Sequence, residues 1–431
     1  MEISGLLAIA VIIFLYALFS RYLIRWAVTA PMVFLAIGWL IGEDGLGVLD
    51  LTLETEGVRL LAEATLVVVL FADATRIDTG ILRSQFRMPG RLLGIGLPMT
   101  IVAGGLVAAW LIPAISVAEG FLIGAILAPT DAALGKAVIT NKKVPVRVRQ
   151  VLNVESGLND GIALPVVTAL LAVAAVGYDA NTTTHWVQFA IREIGLGILV
   201  GLIVGTASGW LVHQAWERSW ITGAARQLAT LSIAVIAFTT TELSAISGNG
   251  FIAAFVAGIA FGVATQMMHE TAADLTEDLG ELATWMTFLF FGIELVAPAV
   301  TAITWQRVLY VVLSLTVIRM IPVTIALIGT HCARSTALFL GWFGPRGLAS
   351  ILFALLILDR ADIGRADVIL EVVSLTVLAS VFLHGLTAMK GAELYAADVA
   401  AMPESMPELE EIDEVPEPRR GGFFEWLHNG N

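Results

Sequence analysis

The sequence predicts an all-α polytopic membrane protein, with about thirteen membrane-spanning helices laid out as inverted repeats. Three observations lead there. The first is composition: 58% of the 431 residues are hydrophobic and 14% are charged, and the mean hydropathy is +0.86. Soluble domains carry about 45–50% apolar and about 25% charged residues. Length alone would admit two or three soluble domains, so composition decides for one membrane unit. The second is a succession of apolar runs long enough to cross a bilayer. The third is a pair of interrupted runs, the fifth and the twelfth, each broken by Pro or Gly beside a charge.

A spanning helix needs about 20 mostly apolar residues. Thirteen stretches meet that description: 3–20, 29–42, 57–75, 91–112, 118–139, 147–176, 187–214, 225–243, 248–264, 276–296, 304–329, 335–358 and 366–389. The second is short and the gap between the eighth and ninth is small, so counts of twelve or fourteen stay open. Met1-Glu2 supplies no basic flank and no A-x-A-like site follows the first stretch, which reads as a retained helix, not a cleaved signal.

Loop charges orient the chain. Arg21 and Arg25 follow the first stretch, Arg76, Arg83 and Arg87 the third, Lys142, Lys143, Arg147 and Arg149 the fifth, Arg218 the seventh and Arg334 the eleventh. The intervening loops are acidic or neutral. This alternation predicts an outside N-terminus and a cytoplasmic C-terminus in a cell membrane. The 265–275 loop, without Lys or Arg, and Arg360 and Arg365 on a predicted outside loop, run against the pattern.

An odd number of spans lets stretches 1–6 and 8–13 carry opposite topology, an arrangement common in secondary transporters, whose ion sites lie at the repeat interface. The fifth stretch carries Pro129-Thr130-Asp131 and the twelfth Gly341-Trp342-Phe343-Gly344-Pro345-Arg346-Gly347, at an offset of seven stretches. Non-helical backbone at membrane depth is tolerated only where it is buried in protein or lines a cavity. Two matched breaks therefore point to an ion site. Residues 1–390 form the expected transmembrane domain and 391–431 a cytoplasmic acidic tail. Its 403–420 segment, rich in Pro and Glu, is expected to be disordered, with Phe423, Phe424 and Trp426 available to rest on a membrane surface.

Ionisable groups inside a membrane are costly and default to functional hypotheses. The densest cluster is N-V-E-S-G-L-N-D-G, with Asn153, Glu155, Ser156, Asn159 and Asp160. Ser156 and Asp160 are four apart and share a helix face, as do Glu155 and Asn159. Asp131 sits on the interrupted fifth stretch. Na⁺ is a hard ion that prefers oxygen. The Asp160 and Asp131 carboxylates, the Ser156 hydroxyl and carbonyls freed near Thr130 would supply it. Desolvation and a neighbouring carboxylate both disfavour the charged form of an acid. Such a group holds a proton when no cation is bound and yields it when one arrives, which by itself couples the two fluxes. Asn159 is neutral, so one acid of the 159–160 pair titrates; one carboxylate swapping one H⁺ for one Na⁺ gives electroneutral exchange, with a change of protonation at Asp131 as the alternative.

The competing reading makes these acids structural partners of buried cations. It is preferred for Glu155, for which Arg319 and Arg346 are the intramembrane candidates. Asp73 reads as a structural or gating acid beside Arg76, His384 as a packing residue, and Glu242 as a solvated interfacial group. Asn181-Thr182-Thr183 matches an N-glycosylation pattern and receives little weight. Gly195, Gly197 and Gly201 favour close helix packing, with a dimer interface one place for it. The single Cys332 excludes a disulfide framework, the six histidines suggest no metal site, and basic residues are too scattered for a nucleic-acid partner.

At A-P-T-D (128–131), N-V-E-S-G-L-N-D-G (153–161), F-F-G-I-E (290–294), the Arg319 stretch and G-P-R-G (344–347), the chain resembles the NhaP/NHE-type sodium–proton antiporters, the first monovalent cation–proton antiporter family. The similarity runs from about residue 5 to 389. It implies a thirteen-helix antiporter fold with two crossing discontinuous helices, a core domain moving against a dimerisation domain, and a homodimer. Asp160 resembles the family's cation- and proton-binding aspartate, and Thr130, Asp131 and Ser156 its neighbouring ligands. Asn159 matches the asparagine of the electroneutral branch. Glu155 and Arg319 resemble the buried ion pair, with Arg346 the other candidate partner. The expected activity is electroneutral Na⁺(Li⁺)/H⁺ antiport without a cofactor, and the same machine run on K⁺ is the nearest rival. An intramembrane aspartyl protease would need a G-x-G-D-type motif where this chain has G-L-N-D, so the protein is not expected to be an enzyme. A channel fits the interrupted inverted spans less well than alternating access does.

Overall fold

The computed structural model describes residues 3–47, 56–75, 87–176, 180–243, 245–265, 274–358, 363–403 and 405–410. Among them the regular structure is helical throughout. The helices are α1 (Ile3–Arg25), α2 (Ala30–Ile41), α3 (Glu56–Thr75), α4 (Arg87–Leu111, with a π-helical turn at Leu92–Gly96), α5 (Val117–Ile126) and α6 (Ala132–Ile139). Then come α7 (Val146–Val176), α8 (Ala180–Glu217), α9 (Gly223–Glu242), α10 (Gly250–Thr265), α11 (Asp274–Glu294) and α12 (Val296–Thr301). The last are α13 (Trp305–Leu315), α14 (Val317–Ala326), α15 (Arg334–Trp342), α16 (Leu348–Leu358) and α17 (Ala366–Ala400). Helix occupies each predicted apolar stretch, and among the described residues six helical segments are individually long and apolar enough to cross a bilayer.

Small residues let the helices close on one another. Gly197, Gly201 and Gly205 of α8 recur every four residues, and a Cβ on them would run into Asn249, Ala253 and Ala257 respectively, from the residue before α10 to its middle. The glycines singled out for packing at 197 and 201 are thus used within the chain, whereas Gly195 faces open space. Gly104 and Gly105 of α4 interlock with Gly120 and Gly124 of α5 in the same way. Backbones in such pairs approach to contact, which is how membrane helices gain dispersion energy without a hydrophobic driving force.

Three of the predicted stretches are interrupted well inside their length; a fourth, 276–296, changes helix only at its end, at Leu295. α5 starts at a capping box: Ser116 Oγ accepts the Glu119 N–H at 3.2 Å and Glu119 Oε2 accepts the Ser116 N–H at 2.6 Å. It stops before Pro129, which has no N–H to continue the ladder, and the chain restarts as α6. α15 and α16 flank the second expected break. The third lies between α13 and α14 at Thr316 (φ −121°, ψ −92°), whose hydroxyl bonds back to the Val312 carbonyl at 2.5 Å. Back-bonding threonines bend helices, a signal too weak to read from sequence.

The tail departs from expectation. α17 continues through residue 390 to Ala400, so the expected domain boundary falls inside a helix. Residues 405–410, within the segment expected to be disordered, pack on the protein, with a 3₁₀ turn at Pro407–Leu409. Glu408 is 1% exposed. Its Oε1 accepts the Ala333 N–H and the Thr336 hydroxyl, each at 2.6 Å, at the start of α15. Thr336 also bonds Tyr395 Oη at 2.9 Å, and Arg147 donates to the Pro407 carbonyl at 2.9 Å and pairs with Glu410. Composition argues for disorder only when no buried site awaits the charged group; the unfilled N–H groups of α15 provide one. Residues 411–431, and with them Phe423, Phe424 and Trp426, lie outside the described residues, as do Arg76, Arg83, Arg360 and the Asn181 side chain.

Candidate cation site at two helix breaks

The two breaks meet. The Asp131 N–H donates to the Pro345 carbonyl at 2.8 Å, joining the break after α5 to the break after α15. Asp131 Oδ2 accepts the Leu348 N–H at 2.8 Å and Oδ1 the Leu134 N–H at 3.4 Å. One carboxylate thereby serves the first turns of both α6 and α16. Helix N-termini present unfilled N–H groups and a partial positive charge, so an anion there is stabilised by both.

The opposite ends converge on Arg346, which is 1% exposed. Its Nε donates to the Leu127 carbonyl at 2.7 Å and its Nη1 to the Gly344 carbonyl, at the C-terminal ends of α5 and α15. Nη2 reaches the Ser314 carbonyl at 3.4 Å. A cation at two helix C-termini complements their partial negative charge. Ser350 Oγ adds a bond to the Ile126 carbonyl at 2.8 Å. The glycines of G-P-R-G are spatial requirements: a Cβ on Gly344 would overlap the Arg319 guanidinium, and one on Gly347 the Asp131 carboxylate.

α7 runs past this junction. Asn159 Nδ2 donates to Thr130 Oγ1 at 2.6 Å, and Thr130 Oγ1 lies 3.0 Å from Ser156 Oγ. Ser156 and Asn159 are three apart and so address the same threonine from one face. All three side chains are buried. Asp160 follows. The residue is partly exposed, yet its Oδ1 is sealed from solvent and has no hydrogen-bond partner in the protein; Asn159 Oδ1 is in the same position. Buried polar atoms are nearly always bonded; what sets these two oxygens apart is their place next to Thr130 and Ser156, where oxygen donors gather. Among the described residues, Asp73 and Asp131 are carboxylates within electrostatic reach of Asp160. Asp73, on α3, was expected to be structural or gating beside Arg76; its place near Asp160 adds an acid to the site. The available signal was its own position, an acid within an apolar run.

Glu155 and Arg319 form a buried ion pair, with Nη2 donating to Oε1 at 2.8 Å. Of the two arginines weighed as partners of Glu155, Arg319 takes the role and Arg346 holds carbonyls instead. Asn153, at the start of the motif, is exposed. Carboxylate, hydroxyl and amide oxygens dominate the groups facing one another, a donor set suited to a hard cation.

The model of the family described as "Sodium/hydrogen exchanger, transmembrane" matches residues 8–389. A K(+)/H(+) antiporter NhaP2 of Shewanella oneidensis is 25% identical over 386 residues, covering 89% of this chain and 65% of its own length. A K(+)/H(+) antiporter NhaP of Alkalimonas amylolytica is 28% identical over 338 residues, covering 77% of this chain and 57% of its own length. The chain thus spans less than two thirds of these relatives. An Na(+)/H(+) antiporter of Schizosaccharomyces pombe is 24% identical over 361 residues, 75% of each chain. Among solved structures, the sodium proton antiporter MjNhaP1 of Methanocaldococcus jannaschii at pH 8 superposes with a TM-score of 0.75 at 19% identity, over 91% of this chain and all of that one. The fold is therefore that of MjNhaP1, and with the family model covering residues 8–389, this chain belongs to the transmembrane sodium/hydrogen exchanger family.

Proposed function

We propose that this chain is a monovalent cation/proton antiporter that exchanges one Na⁺ or Li⁺ for one H⁺ by alternating access. The observation that carries the reading is Asp160: a carboxylate on α7 with one oxygen buried and unbonded, beside the junction of two broken helices. Thr130, Ser156 and Asn159 contribute oxygens, and Asp131 holds the two helix starts in register while adding negative charge. Cation and proton compete for Asp160, so each leaves when the other enters. Asn159, already committed to Thr130 through its amide, adds no titrating charge, which makes the exchange electroneutral. Glu155 and Arg319 neutralise each other and brace α7 against α14.

A second reading, K⁺/H⁺ antiport by the same residues, is favoured by the activities for which the Shewanella oneidensis and Alkalimonas amylolytica relatives are named. Selectivity between the ions rests on sub-ångström cavity geometry, so the assay must decide it.

In this reading the chain lies in a cell membrane with its N-terminus outside and its C-terminus cytoplasmic. The basic loop 142–149 supports this: Lys143 lies 3.8 Å from Glu393 on α17, and Arg147 holds the 405–410 segment. Both therefore share a side with the C-terminal end of α17, the side that basic loops select. At the other end of α17, Arg307 pairs with Glu371 at 2.6 Å. A homodimer is part of the proposal, supported by the family resemblance.

The test is proton flux in vesicles carrying the purified chain and a pH gradient, with Na⁺, Li⁺ and K⁺ offered in turn and a voltage dye read alongside. Na⁺ should collapse the gradient without a voltage signal, and Asp160→Asn should be silent though folded. Collapse by K⁺ alone selects the second reading. Wild-type flux in Asp160→Asn overturns both.

A further inference from the structure

We propose that His384, acting through Ser380, is a positioning residue that sets the helix break at 343–347 and with it the Asp131 carboxylate. The inference rests on the cation-site reading above only for its functional consequence. The geometry stands by itself.

α17 carries Ser380, His384 and Thr387 at the spacing of one helix face. Ser380 Oγ accepts the Arg346 N–H at 2.7 Å. That amide lies in non-helical backbone, where the ladder offers it no acceptor, and a buried N–H without one is costly. His384 Nδ1 lies 3.0 Å from Ser380 Oγ and 3.0 Å from the Ser380 carbonyl. The ring is thus a hydrogen-bond partner of the serine hydroxyl, as donor or acceptor according to its tautomer, and biases where that hydroxyl points. Both residues are almost fully buried.

The same face grips the other side of the break. The Trp342 ring, at the last residue of α15, packs on the His384 ring with centroids 5.1 Å apart, and its Nε1 donates to Thr387 Oγ1 at 3.1 Å. α17 thus fixes the chain at 342 and again at 346, with Gly344 and Pro345 between. The Pro345 carbonyl accepts the Asp131 N–H, and Leu348 donates to its carboxylate. A shift of the 342–346 backbone is passed on to Asp131 through two hydrogen bonds. A histidine that merely filled space would need neither Ser380 nor Trp342.

The experiment uses the full chain with Ser380→Ala, His384→Leu, His384→Asn and the Ser380→Ala/His384→Leu pair. The cation dependence of exchange is measured in vesicles with whichever of Na⁺, Li⁺ or K⁺ the wild type carries. Ser380→Ala and His384→Leu should each raise the half-saturating concentration about five-fold, the size of one lost hydrogen bond. The pair should be no worse than the more severe single change, and His384→Asn, whose amide can reach Ser380, should restore most of the loss. Amide hydrogen exchange at Arg346 is the readout independent of transport: both single variants should speed it and His384→Asn should not. Unchanged exchange at Arg346, effects that add in the pair, or no recovery with asparagine each overturn the proposal. A wild type that moves no protons in response to cations sinks the antiport reading instead and leaves the Arg346 measurement to judge this one.

Discussion

The Asp131 carboxylate accepts the Leu348 N–H at 2.8 Å across 217 residues of chain, and so closes the N-terminal ends of two broken helices with one side chain. Replacing it by alanine would leave the Leu348 N–H buried without an acceptor, at a cost of about 1–3 kcal/mol. Asp131→Ala is therefore expected to lower the melting temperature and to abolish exchange. Asp131→Asn keeps one acceptor oxygen, so it should melt closer to wild type while still transporting poorly. Equal transport in the asparagine variant and the wild type would remove Asp131's charge from the mechanism.

Glu155 and Arg319 are each 3% exposed and 2.8 Å apart. Removing one partner strands the other charge, which costs about 3–5 kcal/mol for a buried pair. Glu155→Ala should be strongly destabilised in a thermal-shift measurement. The double change Glu155→Leu/Arg319→Met should recover much of that stability, because an apolar pair strands nothing. If the single variant melts with the wild type, the pair has no bracing role.

Gly347 faces the Asp131 carboxylate so closely that a methyl group cannot enter. Gly347→Ala should force the α15–α16 break away from Asp131 and reduce exchange at least ten-fold. Gly94→Ala, where nothing lies near the added carbon, serves as the control and should be tolerated. Similar activity in both variants would contradict the packing described for the break.

Glu408 caps α15 from the far end of the chain. In Glu408→Ala the Ala333 and Thr336 donors lose their acceptor. Amide exchange at Ala333 should quicken, and limited proteolysis should cut sooner within 403–410. Loss of such a cap is worth about 0.5–2 kcal/mol, so the membrane helices themselves should stay intact. Unaltered exchange at Ala333 would mean that the segment does not dock in solution.

Much of this molecule was legible in its residues. The apolar runs pointed to helix, because a backbone in lipid must bond to itself and an unbroken apolar run of about 20 residues does so as a helix. Pro129 and the glycines at 344 and 347 announced two breaks, and the acids of N-V-E-S-G-L-N-D-G announced the charged face between them, since a bilayer tolerates such groups only for a reason. Local spacing paired Ser156 with Asp160 and Glu155 with Asn159; that Ser156 and Asn159 both reach Thr130 came only from the packing of α7 on the break. What local spacing could not supply was the choice among distant partners. Arg319 and Arg346 look alike as lone buried cations; only packing put one beside Glu155 and the other beside the carbonyls of Leu127 and Gly344. Asp73 needed α3 folded near α7 to become a neighbour of Asp160. His384 became more than a filler because α17 lies against the break, and Glu408 became ordered because the first turn of α15 had N–H groups to spare. Hydrophobicity and backbone chemistry act along the chain and can be read there. Hydrogen bonds and ion pairs across some 70 to 220 residues depend on where the helices come to rest, and that the tertiary structure alone decided.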